Sequence, residues 1–264
     1  MFPDMDYLSQ VQLESGWQLQ RYSTVDSTNL RLAQLARHGT QEGFCISTDH
    51  QSAGKGRLGR IWQDSPGKSL LLSILCRPQF KLEDFFAVTC ALSVSAVEAI
   101  DALGVQGSIK WPNDVLVGME KLAGILAESG EDSSGRYLVV GIGVNLNQNF
   151  EDLASLKRPA VSLGALLGRE ISASERESLE LDLLNRFRTR YLSIQDNFSY
   201  HFAELLAAYR SRCSTLNSFV RVVLNDGESI SGNVLDISNQ GHLLVELDTC
   251  IRSISAGEVE HLYR

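Results

Sequence analysis

The chain is short of the features that mark secreted, membrane-bound or nucleic-acid-coating proteins. Its five cysteines, at 45, 76, 90, 213 and 250, are odd in number and widely spaced, with no Cys-x-x-Cys pair. That argues against a disulfide framework or a zinc site and reads as buried thiols in a reducing cytoplasm. No apolar run reaches the length that spans a bilayer, and the start Met1-Phe2-Pro3-Asp4 lacks a basic segment followed by an apolar one. The expectation is no membrane partner and no secretion. Positive charge is scarce as well: 24 Lys and Arg against 32 Asp and Glu leave a formal net charge of -8. Nucleic-acid binding normally needs a broad basic footprint, so no nucleic acid is expected as a partner. Proline is sparse, at five residues, and no tract is poor enough in apolar residues to predict long disorder.

What is present suits a compact enzyme in two parts. A chain of 264 residues with 44% apolar and 21% charged content can bury a substantial core without covalent staples. Residues 15–22 read as an entry strand, and Ser27 or Thr28 as the N-cap of a helix running towards Gly39. Apolar stretches at 43–48 and 69–76 read as strands, 81–103 carries helical periodicity, and this alternation argues an α/β layer. Pro112 interrupts an extended segment at 108–111, leaving Asn113 and Asp114 at an irregular junction. A hairpin is expected over 115–128 and a further strand through 139–144. A helix is expected over 174–211, broken near Asn197. From 216 onward short strands alternate with turns such as Asn225-Asp226-Gly227 and Ser238-Asn239-Gln240-Gly241, which suits a small barrel-like β domain. The domain boundary is expected near residue 212, giving parts 1–212 and 213–264.

The stretch from Gln51 to Trp62 holds three cations and three glycines within seven residues of an acidic protein. Glycines let backbone N–H groups approach an anion, and Lys55, Arg57 and Arg60 add charge-assisted bonds. Gly54, Gly56 and Gly59 spell GxGxxG, but a strand-like segment follows where a dinucleotide site requires a helix. Gly67-Lys68-Ser69 ends like a phosphate-binding loop, yet Trp62 stands where its first glycine belongs. Taken alone, the stretch is equally a solvated basic turn. Lys110-Trp111-Pro112-Asn113-Asp114 then sets a carboxylate, an amide and a cation at the broken strand, with Lys121 following. Asp114 is suited to Mg²⁺ and Lys121 to charge at a reacting phosphoryl group, although each alone reads as a surface ion-pair member.

In order and spacing, these segments resemble the biotin–protein ligases. The resemblance rests on Ser27-Thr28-Asn29, the glycine-arginine segment ending in Trp62, Lys110 to Asp114, Lys121-Leu122-Ala123-Gly124 and Gly141-Ile142-Gly143-Val144-Asn145. It implies an α+β fold: a mixed sheet with helices like that of class II aminoacyl-tRNA synthetases, plus a small C-terminal SH3-like β-barrel. It implies two half-reactions, with biotin and ATP as substrates and Mg²⁺ as cofactor. The acceptor implied is the biotin carboxyl carrier protein of acetyl-CoA carboxylase, and the assembly a monomer or weak homodimer.

Carried over by motif, the implied biotin site is Ser27, Thr28, Asn29, Gln51, Gly54, Lys55, Arg57, Lys121, Gly124, Leu126 and Gly143. Within it Ser27, Thr28 and Gln51 would bond the ureido end, where each unmatched polar group costs about 1–3 kcal/mol. The implied nucleotide site is Arg57, Arg60, Trp62, Asn113, Lys121 and Asn145, with Asp114 for the metal. Lys121, Arg57 and Asp114 are the implied catalytic residues. One departure is Lys55, where the family commonly has Arg; Lys cannot reproduce a planar two-point grip.

Other readings share parts of this pattern. Lipoate-type ligases and transferases share the fold, but the Arg-Arg segment leading to a triple glycine that marks them is missing. A biotin-binding regulatory module, including a repressor with an N-terminal winged helix, is disfavoured: about 25 residues precede Ser27, short of a helix-turn-helix domain, and Arg57, Asp114 and Lys121 are retained.

Overall fold

The computed structural model describes residues 7–154, 156, 158–224 and 226–262. In chain order the strands are β1 (Tyr7–Gln12), β2 (Gln18–Val25), β3 (Phe44–Gln51), β4 (Ser69–Cys76), β5 (Ser108–Lys110), β6 (Asp114–Val117), β7 (Glu120–Asp132), β8 (Gly135–Asn145), β9 (Phe219–Val223), β10 (Ser229–Ile237), β11 (Leu243–Glu246), β12 (Ile251–Ile254) and β13 (Glu258–His261). The helices are α1 (Thr28–Arg37), α2 (Phe86–Asp101), α3 (Phe150–Ala154), α4 (Leu163–Leu167), α5 (Ala173–Asp196) and α6 (Phe198–Ser211). They fall into two compact units, one of residues 1–79 and 119–185, the other of 80–118 and 186–264.

The first unit is built on a mixed sheet ordered β1-β2-β3-β4-β8-β7. β2 and β3 run parallel, and the other neighbours run antiparallel. β4 lies inside the sheet and is buried along its whole length. That explains its near-continuous apolar run, since a strand covered on both faces needs no polar alternation. α1 starts where expected: Ser27 is its N-cap and accepts a hydrogen bond from the Leu30 N–H at 3.5 Å. Its Leu32 and Ala36 pack with Val25, Ile46, Leu75 and Val139 of the sheet. β1 was not foreseen, and the entry strand is shifted to Gln18–Val25. As an edge strand whose residues are exposed or half-buried, β1 carries little apolar signal.

In the second unit α2 is buried almost all round, packs against α6, and ends before Gly104, whose φ of +83° is the left-handed stop that glycine supplies. The helix expected over 174–211 does break at Asn197, which caps α6 by accepting from the Tyr200 N–H at 3.3 Å. Trp111 is buried between β5 and β6; its backbone N–H donates to Thr215 Oγ1 at 3.0 Å and its Nε1–H to the Gly241 carbonyl at 2.8 Å. The C-terminal strands form an antiparallel sheet ordered β12-β11-β10-β9-β13. The sheet is open. β12 and β13 are its two edges, with no ladder joining them among the described residues, so the expected barrel does not close. Asn225 of the expected turn lies outside the described residues, while the β9–β10 pairing around it is present.

Four of the five thiols are buried as expected, and Cys250 is exposed. Burial pushes the thiols of Cys45, Cys76 and Cys90 well above their ordinary range, which makes them inert. Among the described residues no helix is long and apolar enough to cross a membrane.

Candidate active site

A pocket open to solvent lies in the first unit. Its polar end is made where α1 begins and β3 stops. Ser27, Thr28, Asn29 and Gln51 line it there, joined by Ser73 from the middle of β4. Its floor is the paired stretch of β7 and β8 that carries Gly124, Leu126, Gly141 and Gly143, with Gly124 opposite Gly143 in the ladder. Lys55 and Trp62, from the glycine-rich loop, complete the lining.

Glycine is required in the floor for space. A Cβ on Gly143 would stand 2.5 Å from Trp62 Cζ2, and one on Gly124 would stand 2.8 Å from Lys121 Nζ and 3.1 Å from Trp62 Cζ3. The Trp62 ring therefore packs against the two glycines, and the Lys121 ammonium sits 5.8 Å from its ring centroid. The Trp62 Nε1–H is buried with no hydrogen-bond partner among the described residues. A buried orphan donor of this kind suits a site that awaits a ligand acceptor.

The loop closes on itself. Gly56 N–H donates to the Arg60 carbonyl at 2.8 Å, and Trp62 N–H to the Gly54 carbonyl at 3.0 Å. Leu58 and Gly59 take positive φ, 57° and 72°, which turns the chain back over Arg57. Gly54 is tightly held: a Cβ there would meet the Trp62 carbonyl at 2.8 Å and Gln51 Nε2 at 3.1 Å. Arg57 opens the turn, and Arg60 follows it at an exposed position. Neither belongs to the pocket lining, whereas Lys55 does.

At the polar end the Gln51 Oε1 accepts from the Thr28 backbone N–H at 2.8 Å and lies 3.1 Å from the Thr28 hydroxyl. The Gln51 backbone N–H donates to Asp64, whose side chain is 1% exposed, at 3.1 Å. Asn145 is buried. Its Nδ2 donates to the carbonyls of Lys121 at 3.4 Å and Val161 at 3.2 Å, and its Oδ1 accepts from Gln148 Nε2 at 3.3 Å. The side chain expected at a nucleotide thus also holds the strand that carries Lys121. Trp111, Asn113 and Asp114 belong to the second unit, with Asp114 opposite Lys110 in the β5–β6 ladder.

Residues to which the sequence motifs assigned no role in the site also contribute to it. Ser73, Gly141 and Ile142 line the pocket. Glu128 accepts from Asn29 Nδ2 at 2.8 Å, and Asp64 anchors Gln51. Ser73 had a signal, being a polar residue inside the otherwise apolar run Leu70 to Cys76. Glu128 and Asp64 had none, since single carboxylates in polar surroundings are common.

Residues 22–145 match the biotin/lipoate A/B protein ligase family, and residues 215–262 match the biotin protein ligase C terminal domain. Fold and sequence thus define a protein ligase of the biotin/lipoate class. Within that class, the chain belongs to the biotin protein ligase family. It is 31% identical over 248 residues to the bifunctional ligase/repressor BirA of Bacillus spizizenii, covering 93% of this chain and 74% of that protein. It is 31% identical over 255 residues to the biotin–[acetyl-CoA-carboxylase] ligase of Mycobacterium tuberculosis, covering 94% and 91%. Among solved structures, the biotin protein ligase of Aquifex aeolicus in complex with biotin and ATP is similar, with a TM-score of 0.76, 28% identity and coverage of 92% of this chain and 97% of that one.

Proposed function

We propose that the protein activates biotin with ATP and transfers it to a lysine of the biotin carboxyl carrier protein of acetyl-CoA carboxylase. In the first step a biotin carboxylate oxygen attacks the α-phosphorus of ATP, pyrophosphate leaves, and biotinyl-5'-AMP forms. In the second the carrier's lysine amine attacks the carbonyl of that mixed anhydride, AMP leaves, and the amine proton passes to solvent. The observation that carries the reading is the pocket: hydrogen-bonding groups, a glycine floor against an aromatic ring, and the cation Lys55 in one lining. A bicyclic urea with an acidic tail needs that set of surfaces.

In this reading Ser27, Thr28 and Gln51 hold the ureido group and the glycines admit the rings. Lys121 and Arg57 stabilise negative charge at the carboxylate and α-phosphate. Arg60, Trp62, Asn113 and Asn145 serve the nucleotide, with 1–212 as the catalytic part and 213–264 as the C-terminal part. Magnesium would enter with the ATP phosphates. Among the described residues no group of three or more His, Cys, Asp or Glu is gathered to hold a metal. A single carboxylate, Asp114, fits an ion that keeps its other positions for water and phosphate.

The test incubates the protein with biotin, Mg-ATP and an apo carboxyl-carrier domain and reads the carrier's mass, with lipoate run in parallel. A shift of one biotin that requires ATP and does not occur with lipoate is expected. Lipoate transfer would move the assignment to the sister activity. Biotin binding without transfer to a competent carrier would favour a binding module.

A further inference from the structure

On its β8 side, β7 is held by the ladder from Ala123 onward, with Ala123 opposite Val144. At Lys121 the segment Pro159-Ala160-Val161 takes the place of β8: the Lys121 N–H donates to the Pro159 carbonyl at 3.0 Å, and the Lys121 carbonyl accepts from the Val161 N–H at 3.0 Å. Asn145, the last residue of β8, ties the two pieces together, since its Nδ2 donates to the Lys121 carbonyl at 3.4 Å and the Val161 carbonyl at 3.2 Å. Carbonyl oxygens only accept, so the amide nitrogen of Asn145 faces them and its Oδ1 faces Gln148. Gln148 must then present its own nitrogen, and Nε2 donates to Asn145 Oδ1 at 3.3 Å and to Ser69 Oγ at 2.6 Å. The Gln148 carbonyl is held in turn by the Ser162 hydroxyl, which donates to it at 2.7 Å. Ser69, Asn145, Gln148 and Ser162 are all buried.

Gln148 is costly to keep. Its Oε1 is buried with no hydrogen-bond partner among the described residues. An apolar side chain of similar size would fill the space without that orphan acceptor. What the amide adds is the direction it imposes on Asn145, and through Asn145 on the backbone at Lys121. We propose that Gln148 is a positioning residue for Lys121. It fixes the Asn145 amide, which fixes the stretch of β7 from which the Lys121 ammonium reaches Trp62 and the Gly124 floor. The proposal rests on the reading in which Lys121 stabilises charge at the reacting phosphate. Gln148 itself lies outside the pocket lining, so its effect belongs to the chemical step and not to biotin affinity.

A double-mutant cycle tests it. Gln148→Leu, Lys121→Ala and the double variant of the full chain are compared in the rate of pyrophosphate release with saturating biotin and ATP. Gln148→Leu alone is expected to slow release about tenfold, the scale of one hydrogen bond, with biotin affinity by calorimetry unchanged. In the Lys121→Ala background the same change is expected to have almost no effect, which a merely structural residue would not show. Ser69→Ala removes only the bond that aims Gln148 and serves where the leucine disturbs folding; the same pattern is expected at about threefold. A full Gln148→Leu loss that persists without Lys121, a loss confined to the KM for ATP, or an unchanged rate would overturn the positioning role and leave the reading of Lys121 intact. An unchanged rate in Lys121→Ala itself would overturn that reading, and the positioning role with it.

Discussion

The Lys121 ammonium and the Trp62 indole face each other at 5.8 Å across the position where a Cβ on Gly124 would collide with both. The loop and β7 therefore converge on one point beside Gly124 of the pocket floor. A cation held there can meet negative charge that grows on a carboxylate and a phosphate as they react. Lys121→Ala is expected to lower the rate of pyrophosphate release by about 10²–10³-fold, the usual loss for one preorganised electrostatic group. Stopped-flow phosphate-coupled assays with biotin and ATP measure it; a loss below threefold would remove Lys121 from the reacting centre.

Gly143→Ala separates ligand space from stability. The added methyl would stand 2.5 Å from Trp62 Cζ2, so the indole must move. Because Trp62 rides on a partly exposed loop, the fold absorbs the change while the pocket does not. Biotin affinity is expected to fall at least about tenfold with the thermal midpoint lowered by no more than roughly 4 °C. Calorimetry and a melting curve on the same sample check both.

Arg57 opens the tight turn of the glycine-rich loop. Arg57→Gly is expected to loosen the hold on biotinyl-5'-AMP, so that free intermediate accumulates and lysines of bystander proteins become labelled. Mass spectrometry of the supernatant and of an added non-carrier protein reads this. Unchanged leakage together with unchanged labelling would exclude the role.

His261 gives a pH signature. Burial, and next the positive charge of Lys110, hold its pKa below the ordinary 6.5. The unfolded chain therefore takes up the proton first as pH falls, and stability declines from about pH 6.5 down to the lowered folded value. Above that window both states are neutral and the residue contributes no slope. Melting curves from pH 7.5 to 5 are expected to show a smaller drop for His261→Gln than for the wild-type protein; equal drops would place the pH dependence elsewhere.

Local pattern carried much of this protein. The cap at Ser27, the buried run of β4, the break at Asn197 and the family segments are each readable over a few residues, because capping, covering on two faces and backbone turns act at short range. So were Thr28, Gln51 and Gly124, which line one pocket. The edge strand β1 and the open C-terminal sheet were not, since pairing and closure depend on distant partners. Nor were the side-chain contacts beneath the pocket. Asn29, Ser73 and Glu128 lie on three different elements, and only folding sets the 2.6 Å and 2.8 Å contacts that join them. The sequence alone determined which chemical groups are available; tertiary structure decided which of them share a hydrogen bond, because the partners come from elements distant in the chain that meet only across the sheet.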